Sequence, residues 1–362
     1  AQASGMLAIV ERVSITVSAT SVLRRNAVKR EFEHFMSKRG VIIANTGTPD
    51  VPEADVVRAY LAEFLQDPRI CPLPAPLWKI ILHAFILPKR AHASAEKYRQ
   101  IWTSQGSPLQ SGMASLAHKL QASFNEQDKA TLVRHGMSYG SPSIKQALGE
   151  LKAEGCDELV VLSLYPQNAL STTGVVADKT LAALSALDWH PQTKLVGYYS
   201  AHLLYLEAIA ASIRAAGFDS SAGDKLLFAF HSIPVRDIRN GDDYEDKARA
   251  TANAVARLLE LDVQDWALGF QCRFDKARSW LGPFIPEALQ TLGAPRGRLF
   301  VVAPNFSIDC LETLYDIDIE LRQQVCEDPA LQIESDRFVY VPCLNDTDAH
   351  VELLTDIVNS VN

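Results

Sequence analysis

The chain lacks a basic excess. Its 35 Lys and Arg residues stand against 43 Asp and Glu, a net charge of −8 at pH 7. A surface for a phosphate backbone needs the opposite balance, so nucleic acid is not the expected partner. An apolar run of about 18 residues is also missing, so no membrane-spanning helix is expected. The six cysteines (Cys71, Cys156, Cys272, Cys310, Cys326 and Cys343) form no Cys-x-x-Cys pair and show no zinc-finger spacing. Scattered in a long chain, they read as reduced, mostly buried thiols, which points to the cytoplasm or another reducing compartment. The first 39 residues have no apolar core followed by a small-residue cleavage site. They are rich in Ser, Thr, Val and Arg, and include Glu11, Glu31 and Glu33. Residues 1–39 are therefore expected to be an extension outside the fold rather than a secretory signal.

What remains is a globular composition, 48% hydrophobic and 22% charged, over 362 residues. That is enough for one large domain or two ordinary ones. Short apolar runs recur, each followed by a turn and a helical pattern. They are VIIAN (41–45), LVRHGMSY (132–139), LVVLSLY (159–165) and KLVGYYS (194–200) in the first half. The second half has KLLFAFH (225–231), WALGFQ (266–271), RLFVVAP (298–304) and FVYVP (338–342). Runs without alternation indicate strands covered on both faces, and strand–helix alternation indicates parallel sheets. The expected fold is α/β, with two Rossmann-like doubly wound domains, each built on a four-stranded parallel sheet, facing a cleft. The break falls near AAGFDSSAGDK (215–225), which gives a second domain over 201–334. No Gly-x-Gly-x-x-Gly or P-loop follows any of the runs, which weakens a nucleotide-binding reading.

Ligands in such folds sit beyond the carboxyl ends of the strands. There the sequence places NTGTP (45–49), SYGSPS (138–143), YPQNALSTTG (165–174), HSIP (231–234), GDDY (241–244), FQCRF (270–274), SWLGP (279–283) and APNFSIDCLETL (303–314). His231 ends an apolar strand before a stiff Ser-Ile-Pro turn, a position suited to binding a transition metal or accepting a proton near neutral pH. The stretch DCLETLYDIDIE (309–320) holds five acids and no base. At about 100° per residue, Glu312, Asp316 and Glu320 share one helix face, opposite Leu311, Leu314, Ile317 and Leu321. Asp309 is expected as an N-cap, with Glu312 completing a capping box. Asp318 would fall near the apolar face unless a π-bulge shifts the register. Acids four apart destabilise a helix, so the column needs a positive partner, which a divalent cation or departing protons would supply.

Taken in order, FHSIP, GDDY, FQCRF, WLGP and DCLETLYDIDIE, together with NTGTPD, SPL (107–109), SYGSPS, YPQNALSTTG and VPCLND (341–346), resemble the ferrochelatase family. The resemblance runs from about Val41 to the C-terminus. It implies an enzyme that inserts Fe²⁺ into protoporphyrin IX, with iron as substrate and no cofactor. It also implies His231 and Glu312 as the metal-binding and catalytic pair, and Asp316 and Glu320 as a path for metal or protons. Thr46, Tyr139, Ser232 and Trp280 would line the porphyrin cleft. The last helix should return to the first domain, giving that domain 40–200 plus residues from about 335 to 362. Leu170 stands where some members carry a cluster cysteine, and the chain has no cysteine-rich tail, so no [2Fe–2S] cluster is expected. Asn168 and Cys272 also depart from the family pattern, and Thr46 is smaller than the side chains usual there.

The segment PLPAPLWKIILHAFILP (72–88) carries three prolines in its first five residues, and Lys79 and His83 further on. Two readings stay open for it: an ordinary buried helix, or a lip that touches the porphyrin or the inner face of a membrane. Two rival functions also stay open, a chelatase for coproporphyrin or cobalt, and a non-catalytic haem or tetrapyrrole binder. Oligomeric state is not legible.

Overall fold

The computed structural model describes residues 37–71, 75–127, 130–271, 278–331 and 333–361. The region 1–36, the prolines at 72 and 74, and Cys272–Phe274 of the FQCRF motif lie outside them.

Eight strands form among the described residues: β1 (Arg39–Asn45), β2 (Thr131–Met137), β3 (Glu158–Ser163), β4 (Gln192–Val196), β5 (Lys225–His231), β6 (Trp266–Gln271), β7 (Leu299–Val302) and β8 (Phe338–Val341). They make two four-stranded sheets, ordered β2-β1-β3-β4 and β6-β5-β7-β8. Every ladder is parallel. The two orders are the same: in each sheet the first strand of the half lies second from the edge. This is the two-sheet α/β architecture expected from the apolar runs.

The central strands show why those runs are unbroken. Val41, Ile42, Ile43 and Ala44 are all 0% exposed. Val41 and Ile43 pack with Leu109, Met113 and Leu116 of the helix Pro108–Gln127. Ile42 and Ala44 face the other way, onto Ile144 and Leu148 of the helix Ile144–Ala153. With both pleat faces covered, alternation would leave a polar side chain buried. β5 follows the same rule. Leu226, Phe228 and Phe230 join the core layer that also holds Val41 and Ile43, so this apolar layer runs through both lobes. Leu227 and Ala229 pack on the outer side, against Ile317 of the acidic stretch and Leu321 and Val325 just after it.

Two expected boundaries are corrected. Ser37–Arg39 belong to the fold rather than to an extension: Arg39 opens β1, and Ser37 Oγ and Lys38 N both donate to Asp157 Oδ1 at 2.8 Å. The return to the first lobe comes later than 335, because β8 pairs with β7 in the second sheet. The helix that follows, Asp348–Ser360, rests on Pro108–Gln127 and on Leu203–Ala215.

Within 72–88 a helix spans Ala75–Ile81 and a wider π-helical turn spans Leu82–Ile86. Leu82 and Leu87 are buried, and Trp78 Nε1 donates to Leu65 O at 2.6 Å, so one side is core. Leu77, Ile80 and Phe85 are 56%, 64% and 68% exposed. No helix among the described residues is long and apolar enough to cross a membrane.

Candidate active site

Between the carboxyl ends of the two sheets lies a cleft of about 1270 Å³, open mouth included. Thr46, Ser232, Trp280, His231 and Glu312 all line it. His231 is the last residue of β5. Its Nδ1 donates to Ser232 O at 2.7 Å, which leaves the lone pair on Nε2, the tautomer that can bind a cation or take a proton. Tyr244 OH donates to His231 O at 2.8 Å and fixes the strand end; this is the work of the last residue of GDDY. Two residues earlier, Asp242 accepts from Leu170 N at 2.7 Å and Tyr244 N at 3.0 Å, tying the YPQNALSTTG loop to the second lobe. Ser232 is 1% exposed and its Oγ donates to Leu281 O at 2.8 Å, so its hydroxyl holds the SWLGP segment in place. The Arg278 guanidinium lies over the Trp280 ring at 4.7 Å from its centroid.

The acidic stretch is where sequence and structure differ most. A short helix, Leu311–Leu314, passes directly into a π-helical turn, Asp316–Leu321. The register shift suspected from Asp318 is present. Asp318 turns to Arg322, with which it forms an ion pair. The expected Asp309–Glu312 capping box is corrected: Cys310 is the N-cap, and its N–H donates to Thr313 Oγ1 at 2.9 Å. Asp309 is instead a buried anchor. Its carboxylate accepts from Tyr340 OH at 2.5 Å, Asn345 Nδ2 at 2.8 Å, Thr313 Oγ1 at 3.2 Å and Cys343 N at 3.3 Å. Those donors satisfy a charge that would otherwise be costly to bury. They also lock the turn that presents Glu312.

The acids have a protein cation as partner. Lys97, on the helix Leu87–Ile101, places Nζ 3.0 Å from Asp316 Oδ1 and 3.5 Å from Glu320 Oε2. Burial raises the Asp316 carboxyl to about 6; Glu312 adds to the shift and Lys97 opposes it. For Lys97 burial acts downward, but Asp316 and then Glu320 outweigh it and hold the ammonium above its ordinary range. Lys97 was invisible to the sequence reading, which looked for a base within the stretch itself.

The opposite wall comes from the first lobe. Gly47, in NTGTP, has φ +117°, and a Cβ there would lie 1.9 Å from Tyr139 O, so only glycine lets the two turns meet. Asn45 Oδ1 accepts from Thr46 N at 2.7 Å and from Tyr165 OH at 3.0 Å. Thr46 Oγ1 is also bonded to Tyr165 OH. Tyr60 OH donates to Gly47 O at 2.9 Å. Tyr139 does not reach the cleft in the way expected. It is 2% exposed and packs behind the wall, edge-on to Phe64 at 5.2 Å, under the Lys179 ammonium at 5.0 Å. Tyr98 lines the cleft beside Glu312; burial and then that carboxylate push its phenol well above the usual range. Asn305, at the end of β7, also lines the cleft, and its buried Oδ1 has no hydrogen-bond partner. Neither Tyr98 nor Asn305 was singled out from the sequence.

The ferrochelatase family model matches residues 38–361. A ferrochelatase of Nitrosococcus oceani is 39% identical over 324 residues, covering 89% of this chain and 86% of the relative. One of Aromatoleum aromaticum is 40% identical over 326 residues, covering 89% and 87%. Among solved structures, SirB from Bacillus subtilis with Fe³⁺ superposes with a TM-score of 0.51 at 10% identity, covering 89% of this chain and 95% of that one. At that identity the likeness speaks for the fold. With a cleft at the carboxyl ends of twin parallel sheets and 36–40% identity to ferrochelatases across nearly nine-tenths of its length, the chain belongs to the ferrochelatase family.

Proposed function

We propose that the cleft binds protoporphyrin IX and that His231 and Glu312 carry the insertion of Fe²⁺ into it, forming protohaem. The observation that supports this most is a strand-end imidazole, held by its Nδ1–H to Ser232 O, lining the same cleft as a carboxylate. Free porphyrin carries two pyrrole N–H protons. Insertion forms four Fe–N bonds and releases both protons, with no change in iron oxidation state. His231 accepts a proton at Nε2. Glu312 holds the ion or takes the second proton, and Asp316 and Glu320 carry charge between the cleft and solvent. Asn305 Oδ1 is an acceptor waiting for a ligand donor. The cleft walls bend the macrocycle so that nitrogen lone pairs point toward the metal, with binding energy offsetting ring strain.

The remaining assignments are finer. The reaction needs no [2Fe–2S] cluster, and Leu170, 40% exposed, stands where a cluster cysteine would be. The exposed Leu77, Ile80 and Phe85, with Lys79 between them, suit peripheral contact with an anionic lipid surface on the cytoplasmic side. Anaerobic loss of protoporphyrin fluorescence on addition of Fe²⁺ tests the activity. Parallel assays with coproporphyrin and with cobalt separate the neighbouring specificities, and a stable, unmetallated porphyrin complex would mark a binder instead. Sedimentation with anionic vesicles tests the surface contact, which fails if all protein stays in the supernatant.

A further inference from the structure

We infer that Lys97 is the resident counter-cation of the Glu312–Asp316–Glu320 column, and that an arriving divalent metal displaces its ammonium group from Asp316 and Glu320. This rests on the metal-insertion reading above.

The column poses an electrostatic problem when no metal is present. Its three carboxylates sit four residues apart on one wall, and acids at that spacing repel. All three are only partly exposed, so solvent screens them incompletely. Arg322, the base nearest in sequence, is taken by Asp318. Lys97 reaches over from a different part of the chain, 219 residues away, and contacts the outer two acids at 3.0 and 3.5 Å. It also sits 4.5 Å from the centroid of the Tyr315 ring, a second electrostatic hold on the same ammonium.

An ammonium group suits this position because it is a compact point charge on a flexible stem. It holds the column together as one positive charge. It cannot ligate, whereas a divalent ion brings twice the charge and binds carboxylate oxygens directly. Lys97 is only a third exposed, yet its stem can swing its head into solvent when outcompeted. The residue thus sets a threshold: monovalent cations gain nothing by replacing it, and divalent cations must outbid it. In this role Lys97 determines the metal concentration dependence of the enzyme without touching porphyrin chemistry.

The test uses porphyrin-free full-length protein titrated with cobalt(II) by calorimetry, together with the metal KM of insertion. Lys97→Met, which keeps the stem and removes the charge, should bind cobalt(II) about tenfold more tightly and lower the metal KM by a similar factor. Lys97→Arg keeps the charge and should stay near wild type. A structural loosening of the site would weaken metal binding, so tighter binding is the discriminating result. Unchanged or weaker cobalt(II) binding by a natively folded Lys97→Met overturns the proposal; Lys97→Gln serves the same purpose if that variant does not fold. Asp316→Asn combined with Glu320→Gln separates the two levels. If the double variant weakens cobalt(II) binding while Lys97→Met leaves it unchanged, only the role of Lys97 falls. If the double variant also leaves metal binding and metal KM unchanged, the column is not a metal route and its reading falls as well.

Discussion

At the end of β1, Asn45 Oδ1 accepts from Thr46 N and Tyr165 OH, and the neighbouring Gly47 O accepts from Tyr60 OH. At the end of β5, in the same place of a sheet with the same strand order, His231 turns an imidazole to the cleft. On the first wall Asn45, Thr46, Gly47, Tyr60 and Tyr165 are bonded to one another, while the second wall presents His231 and Glu312 to the cleft; each wall also holds a buried amide oxygen with no partner, Gln167 Oε1 and Asn305 Oδ1. His350, in the final helix, which packs on elements of both lobes, is 0% exposed. Asp316, in the second lobe, is partly exposed beside the cleft. The comparison teaches that one topology can serve as supporting wall or as reactive wall, depending on which side chains its strand ends present to the cleft.

The largest expected break comes at the reactive wall. His231→Ala should lower insertion by at least about 10²-fold while circular dichroism and porphyrin binding stay native. Full activity would remove His231 from the mechanism. Glu312→Gln should cost about 10²-fold in kcat, measured by the same fluorescence assay, and a change confined to porphyrin KM would make it a wall residue instead.

Away from the cleft, the final helix should titrate in stability. Burial lowers the His350 pKa to about 4; its Nδ1 donates to Asn345 O at 2.5 Å, and its Nε2 has no partner. The folded state therefore favours the neutral ring. That stability is fully present above the unfolded value near 6.5 and is lost as pH falls toward 4, for a total of roughly 2–4 kcal/mol. Urea midpoints from pH 7 to pH 4 should show this slope, and His350→Asn should flatten it. Equal slopes would assign acid lability elsewhere.

Beside the cleft, Asp316 should titrate in function. With its carboxyl raised to about 6, it is ionised above that pH and protonated below. The metal KM should rise as pH falls through 6, by up to about tenfold per lost charge. Asp316→Asn should raise it above pH 6, to the level the wild type reaches below that pH, and remove the dependence. The smallest effect belongs to Tyr165→Phe, which removes a bond within the first wall. It should cost on the order of 1 kcal/mol of stability with little change in turnover; a collapse in kcat would show that this wall is not passive.

The central strands β1, β3, β5 and β7 were legible because burial on both faces leaves unbroken apolar runs, and the less buried edge strands by their place in the strand–helix alternation. The acid column was legible because its spacing is local, and even Asp318 betrayed the π-helical turn. What failed was long-range. Asp309 looks like a helix cap until Tyr340 in β8 and Asn345 just beyond it arrive from 31 and 36 residues away. Lys97 can be matched to Asp316 only once the fold is known. Tyr139 was misjudged for a different reason: an aromatic at a strand end reads alike whether it faces the cleft or packs behind its wall. The return to the first lobe was set too early, at about 335, because sequence order does not say where the chain leaves the second sheet, whose last strand is β8.

The π-helical turn at Asp316–Leu321 carries one residue more than a regular helix would need to span the same wall. On a regular helix, side chains four apart drift by about 40° at each step; the wider turn takes up that drift and keeps Glu320 in line. Deleting one residue would restore ordinary pairing and gain stability, yet it would swing the last carboxylate off the column. The enzyme therefore retains a local weakness whose repair would harm it. A stabilised variant selected for heat resistance should leave this turn unrepaired as long as activity is also selected.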